Sequence, residues 1–301
     1  MKNILMIGAC ALAVTACSGQ KTDAPKVEIP TVTETAEAPA ATGMTLTQAT
    51  AGDWRTDSQK ARHVWRNPVE TLEFFGIENS DTVVEISPGG GWYTNVLAPY
   101  LASGGGKLIA AHFDPAAFPE DRREGIQKRV DDFAAVYAAD PDLFGTVEIS
   151  AFSKMSGPLT EAGTADAVLT FRNVHNWMGG DYTAKAFEDA YAALKPGGIM
   201  GVVEHRLPSN AEQDPRGASG YVHEDFVKAI AISAGFEFAE SSEINANPAD
   251  TADHPFGVWT LPPRSRTEDR DGNTPDGFDA AKFAAIGESD RMTLKFIKPA
   301  E

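Results

Sequence analysis

Apolar and polar positions along this chain of 301 residues change rhythm repeatedly, and the changes divide it into elements. Short apolar runs bounded by turn-forming residues predict buried strands over 82–86, 107–113, 147–152, 167–171 and 199–203. Between and after them, apolar positions recur at helical spacing over 93–101, 122–137, 182–194 and 224–233. The 182–194 helix is expected to stop at Lys195-Pro196-Gly197-Gly198, because proline cannot continue a helix and glycine accepts left-handed C-terminal geometry. A sixth strand starts over 236–240 after Gly235, and a last one spans 291–297 beyond a polar excursion over 245–290. Strands alternating with helices predict an α/β domain with a mostly parallel sheet covered on both faces. Upstream, residues 47–75 carry an interrupted apolar face (Trp54, Val64, Trp65, Leu72, Phe75) with a break at Pro68, which predicts two helices capping the sheet.

Residues 1–17 read as an address rather than as structure. Lys2 and Asn3 precede an apolar run over 4–14, well short of the roughly 20 residues that span a bilayer. The run ends in Val14-Thr15-Ala16-Cys17, which has the form of a lipobox, so Cys17 is expected to become the lipidated N-terminus of an exported protein facing the periplasm. An ordinary signal peptide cut near Ala16 is the alternative. The Thr, Ala, Pro and Glu-rich stretch that follows, over 18–45, buries too little to fold and is expected to be a disordered tether. Residues 46–301 then form the folded domain. Cysteine usage agrees: only Cys10 and Cys17 exist, which leaves the domain without a disulfide, a thiolate metal site or a cysteine nucleophile. A net charge of −17 repels phosphates, so nucleic acid is excluded as a partner and the membrane is to be reached through the lipid on Cys17. A monomer is expected.

The most informative segment is Thr82-Val83-Val84-Glu85-Ile86-Ser87-Pro88-Gly89-Gly90-Gly91-Trp92-Tyr93-Thr94, a strand passing through a glycine turn into a helix. A P-loop requires Lys and Ser or Thr after its glycines, and Trp92 and Tyr93 stand there instead. A dinucleotide fingerprint begun at Gly89 and Gly91 puts Thr94 where its third glycine belongs, which weakens that reading. The pattern E-x-G-x-G-x-G fits better, with Glu85, Gly89 and Gly91 in place and Ser87 substituting for the first glycine. Together with Leu194-Lys195-Pro196-Gly197-Gly198, Phe171-Arg172-Asn173-Val174-His175-Asn176-Trp177, Asn247-Pro248-Ala249-Asp250 and the closing Leu294-Lys295-Phe296-Ile297-Lys298-Pro299, the chain resembles the class I S-adenosylmethionine (SAM) dependent methyltransferases. Within them it resembles a family of predicted exported bacterial methyltransferases, over about 47–299.

That resemblance implies a Rossmann-like fold of seven strands, SAM as cofactor and methyl transfer, and a small molecule is expected as the acceptor. It also implies a cofactor site drawn from Glu85, Ser87, Gly89, Gly90, Gly91, Arg172 and Asn173. Two departures stand out. The acid that ends the second strand in such folds is replaced by His112, with Asp114 two residues on and able to reach back. After the third strand, Phe152 offers stacking where an acid would meet the adenine.

Ligands of open parallel sheets sit beyond the carboxyl ends of the strands, where His112, His175, His205 and His223 fall, while His63 and His254 lie elsewhere. Methyl transfer to a hydroxyl or thiol needs a base, and histidine suits the task near neutral pH. His175, placed by Asn173 and Asn176, is the first candidate, and His205 with Glu204 the second. Trp92, Tyr93 and Trp177 either close over an apolar substrate or simply pack. Asp114, His175, Glu204, His205, His223 and Glu224 are numerous enough for a non-thiolate metal site, but their spacing fits no tight ligand motif and none is assigned. Two alternatives remain beside the methyltransferase: a lipoprotein that keeps the fold and only binds a ligand, and a different enzyme of the same fold using its histidines.

Overall fold

The computed structural model describes residues 43–300. The expected signal segment with Cys17 and most of the tether therefore lie outside the described residues. The described chain begins with four short helices rather than two: α1 (Leu46–Ala51), α2 (Asp57–Lys60), α3 (His63–Arg66) and α4 (Pro68–Phe75). Local chemistry explains the extra breaks. Thr45 with Gln48 and Thr56 with Gln59 each form a capping box, in which the threonine hydroxyl accepts from a backbone N–H and the glutamine accepts in return, so a new helix starts at each. Asn67, at φ 36°, ends α3 in left-handed geometry, and Pro68 opens α4 at a position where its missing N–H costs nothing.

The remaining elements follow in alternation: β1 (Thr82–Ile86), α5 (Thr94–Ala102), β2 (Lys107–Phe113), α6 (Glu120–Ala138), α7 (Pro141–Phe144), β3 (Val147–Phe152), β4 (Ala165–Phe171), α8 (Val174–Gly180), α9 (Thr183–Ala193) and β5 (Leu194–His205). Then come α10 (Glu224–Ser233), β6 (Glu237–Ser242), β7 (Pro255–Val258), α11 (Ala280–Ile286) and β8 (Arg291–Ile297). Seven strands form one sheet in the order β3-β2-β1-β4-β5-β8-β6. All neighbours from β3 to β5 are parallel, and β8 runs antiparallel to both β5 and β6. The short β7 stands outside the sheet. This is the Rossmann-like α/β fold with helices on both faces. Among the described residues no helix is long and apolar enough to cross a membrane.

Strand alternation assigns side chains to two cores. Val84 and Ile86 of β1 join Val168, Trp177, Phe187, Met200 and Phe296 on one face, while Val83 joins Leu72, Phe75, Leu97, Leu101 and Leu169 on the other. Helix α9 does end before Lys195, but the Lys-Pro-Gly-Gly segment also opens β5. There Gly197 takes φ +79°, its N–H donates to the Lys298 carbonyl (2.9 Å), and Lys298 N–H donates to the Gly198 carbonyl (2.9 Å). Helix α8 was not anticipated from the sequence, where its residues read as a loop. The polar excursion likewise contains β7 and α11.

Candidate active site at the carboxyl edge of the sheet

Strand β1 delivers the chain into the glycine turn at Ser87, whose φ of 56° is left-handed although it is not glycine. Its N–H donates to the Ala111 carbonyl of β2 (2.8 Å), which fixes the turn's origin. A Cβ placed on Gly89 or Gly90 would meet nothing within 4 Å, so the backbone there faces open space. Gly91 has a different reason to be glycine: a Cβ on it would lie 2.2 Å from the Tyr137 hydroxyl. Gly91 therefore also packs closely against α6. Beneath the turn Glu85 is buried, with Oε2 accepting from Thr94 Oγ1 (2.6 Å), and so braces the turn to the first residue of α5. Burial pushes its carboxyl up to about 7, only partly offset by the Thr94 hydrogen bond.

Two cavities flank the turn. The inner one, about 520 Å³, is lined by Glu85, Ser87, Gly89, Gly90, Arg172 and Asn173 of the expected cofactor residues, and by His175 and His205 of the expected catalytic ones. The other, about 630 Å³, lies between Gly89, Gly90, His112 and the α6 residues Phe133 and Tyr137. His112 is not beyond β2 but within it. Its Nδ1 accepts from Phe113 N–H (2.8 Å), and burial lowers its pKa, so the ring is neutral.

Asp114 and Phe152 contribute to neither cavity. Asp114 Oδ1 accepts from Ala116 N–H (3.0 Å) and Oδ2 from Ser153 Oγ (2.9 Å), which ties the end of β2 to the end of β3. Phe152 packs edge-on against Trp177 (5.7 Å) and Tyr182 (5.8 Å) in the core. Both side chains are thus engaged by their neighbours, away from the two cavities.

At the ends of β4 and β5 the side chains converge. Arg172 follows β4 at φ 65°. Asn173 Nδ2 donates toward the carbonyls of Ile86 (3.2 Å) and Ser87 (3.3 Å), clamping the glycine turn to β4. Glu204, fully buried, accepts from Val174 N–H (2.5 Å) and His205 N–H (2.8 Å), and its Oε1 takes the Nδ1–H of His175 (3.0 Å). Glu204 thus contacts both histidines that the sequence offered, His175 through its ring and His205 through its backbone N–H. Glu204 turns toward the start of α8, and the His205 ring meets Ser289 Oγ (2.5 Å). Burial holds His205 well below 6.5, and His175 and the nearby arginines add to that, so it is neutral.

His175, Glu204 and His205 form the only group of potential metal ligands found among the described residues, with donor atoms within 4.8 Å of one another. Glu204 is nevertheless occupied by three N–H donors. His223 caps α10 and meets the Pro208 carbonyl (3.1 Å), outside this group. Trp92 and Tyr93 both line the inner cavity, Tyr93 stacked on Phe171 (3.5 Å), and Trp177 is buried in the core.

Several site residues escaped the sequence reading. Arg62, Arg66 and Arg291 line the inner cavity and share one carboxylate, Glu288. A larger outer groove of about 1680 Å³ meets the inner cavity at His175, Asn176, Trp259 and Arg264. Trp259 stands edge-on to His175 at 5.9 Å. His254 lines the groove and pairs through Nε2 with Asp250 (2.7 Å), which also accepts from the Tyr221 hydroxyl (3.0 Å). The Asn247-Pro248-Ala249-Asp250 segment was a visible signal for that pair. The arginines had none, since their shared acid is more than 200 residues away for two of them.

No protein-family model matches the chain, and no curated protein matches it. Among solved structures it is similar to the cyclase SpnF (15% identity, 85% of this chain and 92% of that one, TM-score 0.49). It is also similar to a SAM-dependent methyltransferase from Aquifex aeolicus (16% identity, 67% and 94%, TM-score 0.44). A third such structure is an S-adenosylmethionine-dependent methyltransferase from Mesorhizobium loti (14% identity, 76% and 96%, TM-score 0.43).

Proposed function

We propose that the protein is a SAM-dependent methyltransferase acting on a small molecule that bears an ionisable O–H or S–H. The observation that carries this reading is the Glu204–His175 pair at the wall of a cavity floored by the open Gly89–Gly90 backbone. The residues suit the cofactor where it matters for approach: the space beside Gly89 and Gly90 is what a Cβ would fill, and a backbone without side chains lets a ligand lie against it. Bound there, SAM supplies a methyl group on a sulfonium, open to direct displacement. The chain's own part is to align the acceptor and take its proton. Because Nδ1–H of His175 is committed to Glu204, Nε2 is left as the basic nitrogen, and the pair has the base-plus-orienter arrangement of general-base catalysis.

A second reading has an observation in its favour. His112 stands where an acid would hold ribose, and Asp114 already accepts from Ser153 and Ala116, which favours a protein that keeps the fold and only binds a ligand.

Calorimetric titration of the full chain with SAM and S-adenosylhomocysteine tests the first reading. Micromolar binding is expected, about −8 kcal/mol. Gly90→Val should abolish it without harming the fold, since Gly90 has neither a positive φ nor a neighbour for the new side chain. In an assay with an acceptor in hand, His175→Ala should slow turnover by roughly 10²–10⁴-fold while leaving S-adenosylhomocysteine binding intact. Absence of binding by either compound at millimolar concentration overturns the proposal, and binding with no acceptor ever methylated supports the second reading.

A further inference from the structure

The inner cavity is far more basic than the chain that surrounds it. Against a net charge of −17 for the whole, its wall carries Arg62, Arg66, Arg172, Arg264 and Arg291 and a single acid, Glu85. Glu85 sits under the turn and burial favours its neutral form. Behind the wall, Glu288 accepts from Arg62 Nε (2.5 Å) and Arg66 Nε (3.1 Å), and also from Arg291 Nη2. One carboxylate thus serves three guanidinium groups, and Arg172 adds a fourth charge to the same neighbourhood.

These cations are left short of partners. Arg66 and Arg291 are each 2% exposed, yet Arg66 Nη1 and Arg291 Nε have no hydrogen-bond acceptor, nor has Arg62 Nη2. No side-chain hydrogen bond of Arg172 is found among the described residues. Burial, then repulsion from Arg172, Arg291 and Arg62 in spite of Glu288, pushes Arg66 down to about 8. Burial, then Arg291 and Arg62, brings Arg172 to about 10. Like charges held together out of water with unfilled donors are costly unless something negative arrives. Guanidinium forks match the oxygens of carboxylate and phosphate.

We infer that Arg62, Arg66, Arg172 and Arg291 form a seat for an acidic group, a carboxylate or phosphate, on the molecule that enters beside His175. That its occupant is the methyl acceptor rests on the function proposed above. The seat itself rests only on the charges and unfilled donors. An acceptor gripped there by its acid presents a neighbouring O–H or S–H toward the His175 side of the cavity, so the seat selects anionic acceptors over neutral analogues.

The test uses the full chain and two probes, inorganic phosphate and malonate, titrated with and without saturating S-adenosylhomocysteine at ionic strength held constant with sodium chloride. At least one probe is expected to bind and to raise the melting temperature, equally well in the presence of S-adenosylhomocysteine. Arg172→Gln, which leaves the Glu288 contacts in place, should weaken that binding about tenfold, or about 1.4 kcal/mol. Which probe binds more tightly distinguishes a phosphate acceptor from a carboxylate one. The inference is overturned if neither probe binds at tens of millimolar, if chloride displaces them equally, or if Arg172→Gln changes nothing. It is also overturned if S-adenosylhomocysteine displaces the probe, for then the arginines hold the cofactor's own carboxylate. If the probes bind and S-adenosylhomocysteine does not, the seat stands and the methyltransferase reading fails.

Discussion

At Glu85 burial outweighs the one hydrogen bond from Thr94, and the carboxyl keeps its proton up to about pH 7. Its folded pKa lies above the ordinary 4.5, so between those values the folded state binds more protons than the unfolded one. Stability from this group is then full below pH 4.5 and is lost as pH rises through 7, by about 3 kcal/mol. Glu85→Gln keeps an oxygen for Thr94 to donate to and removes the titration. Urea denaturation at pH 5 and pH 8 should show the variant nearly matching the parent at the lower pH and exceeding it at the higher. A parallel pH dependence in both would mean that Glu85 is ionised in the fold. At this scale the sequence was legible where a residue acts through backbone or local spacing, as Glu85, Gly89 and Gly90 do. It was silent where a distant side chain takes part: Tyr137 closes the space beside Gly91, and Ser153 donates to Asp114.

Between elements, α1 and α4 pack on the sheet through Leu46, Ala49, Leu72 and Phe75, and the segment around α3 is tied to it by an ionic joint. Arg62 and Arg66 from the cap meet Glu288, as does Arg291 from the start of β8. Burial alone would raise the Glu288 carboxyl, but Arg291, Arg66 and Arg62 together hold it down to about 2. Its folded pKa is therefore depressed, so its stabilising contribution is present above pH 4.5 and is lost as pH falls toward 2. Glu288→Gln leaves three guanidinium groups without their counter-ion, and breaking one partner of such a joint costs about 3–5 kcal/mol. Hydrogen exchange should accelerate first over residues 46–75 and leave β1 and β4 protected. Uniform loosening of the whole sheet would show that the joint does not act locally. The order and boundaries of most strands and helices could be read from periodicity, because each buries a face of its own. The cap could be read only in part: α1 and α2 start at two Thr-x-x-Gln boxes, α3 gives way to α4 at Asn67-Pro68, and Arg62 and Arg66 are tied to an acid more than 200 residues away.

For the whole molecule, the lipobox reading proposes Cys17 as the point of attachment to the cell envelope, with residues 18–45 as the link to the folded domain. Fractionation of cells producing Cys17→Ala should move the protein from the membrane fraction to the soluble one, and unchanged partitioning would rule out lipid at this residue. The place of the last strand bears on the same journey. Strand β8 does not lie at the margin of the sheet but is inserted between β5 and β6, and it carries Arg291 into the cavity. Until residues 291–297 have emerged, β6 has no partner, β5 is an open edge, and one wall of the cavity is missing. A polypeptide delivered amino end first, from the ribosome or through a narrow pore, therefore cannot lock into its final form midway. The sheet closes only when β8 arrives between its two neighbours.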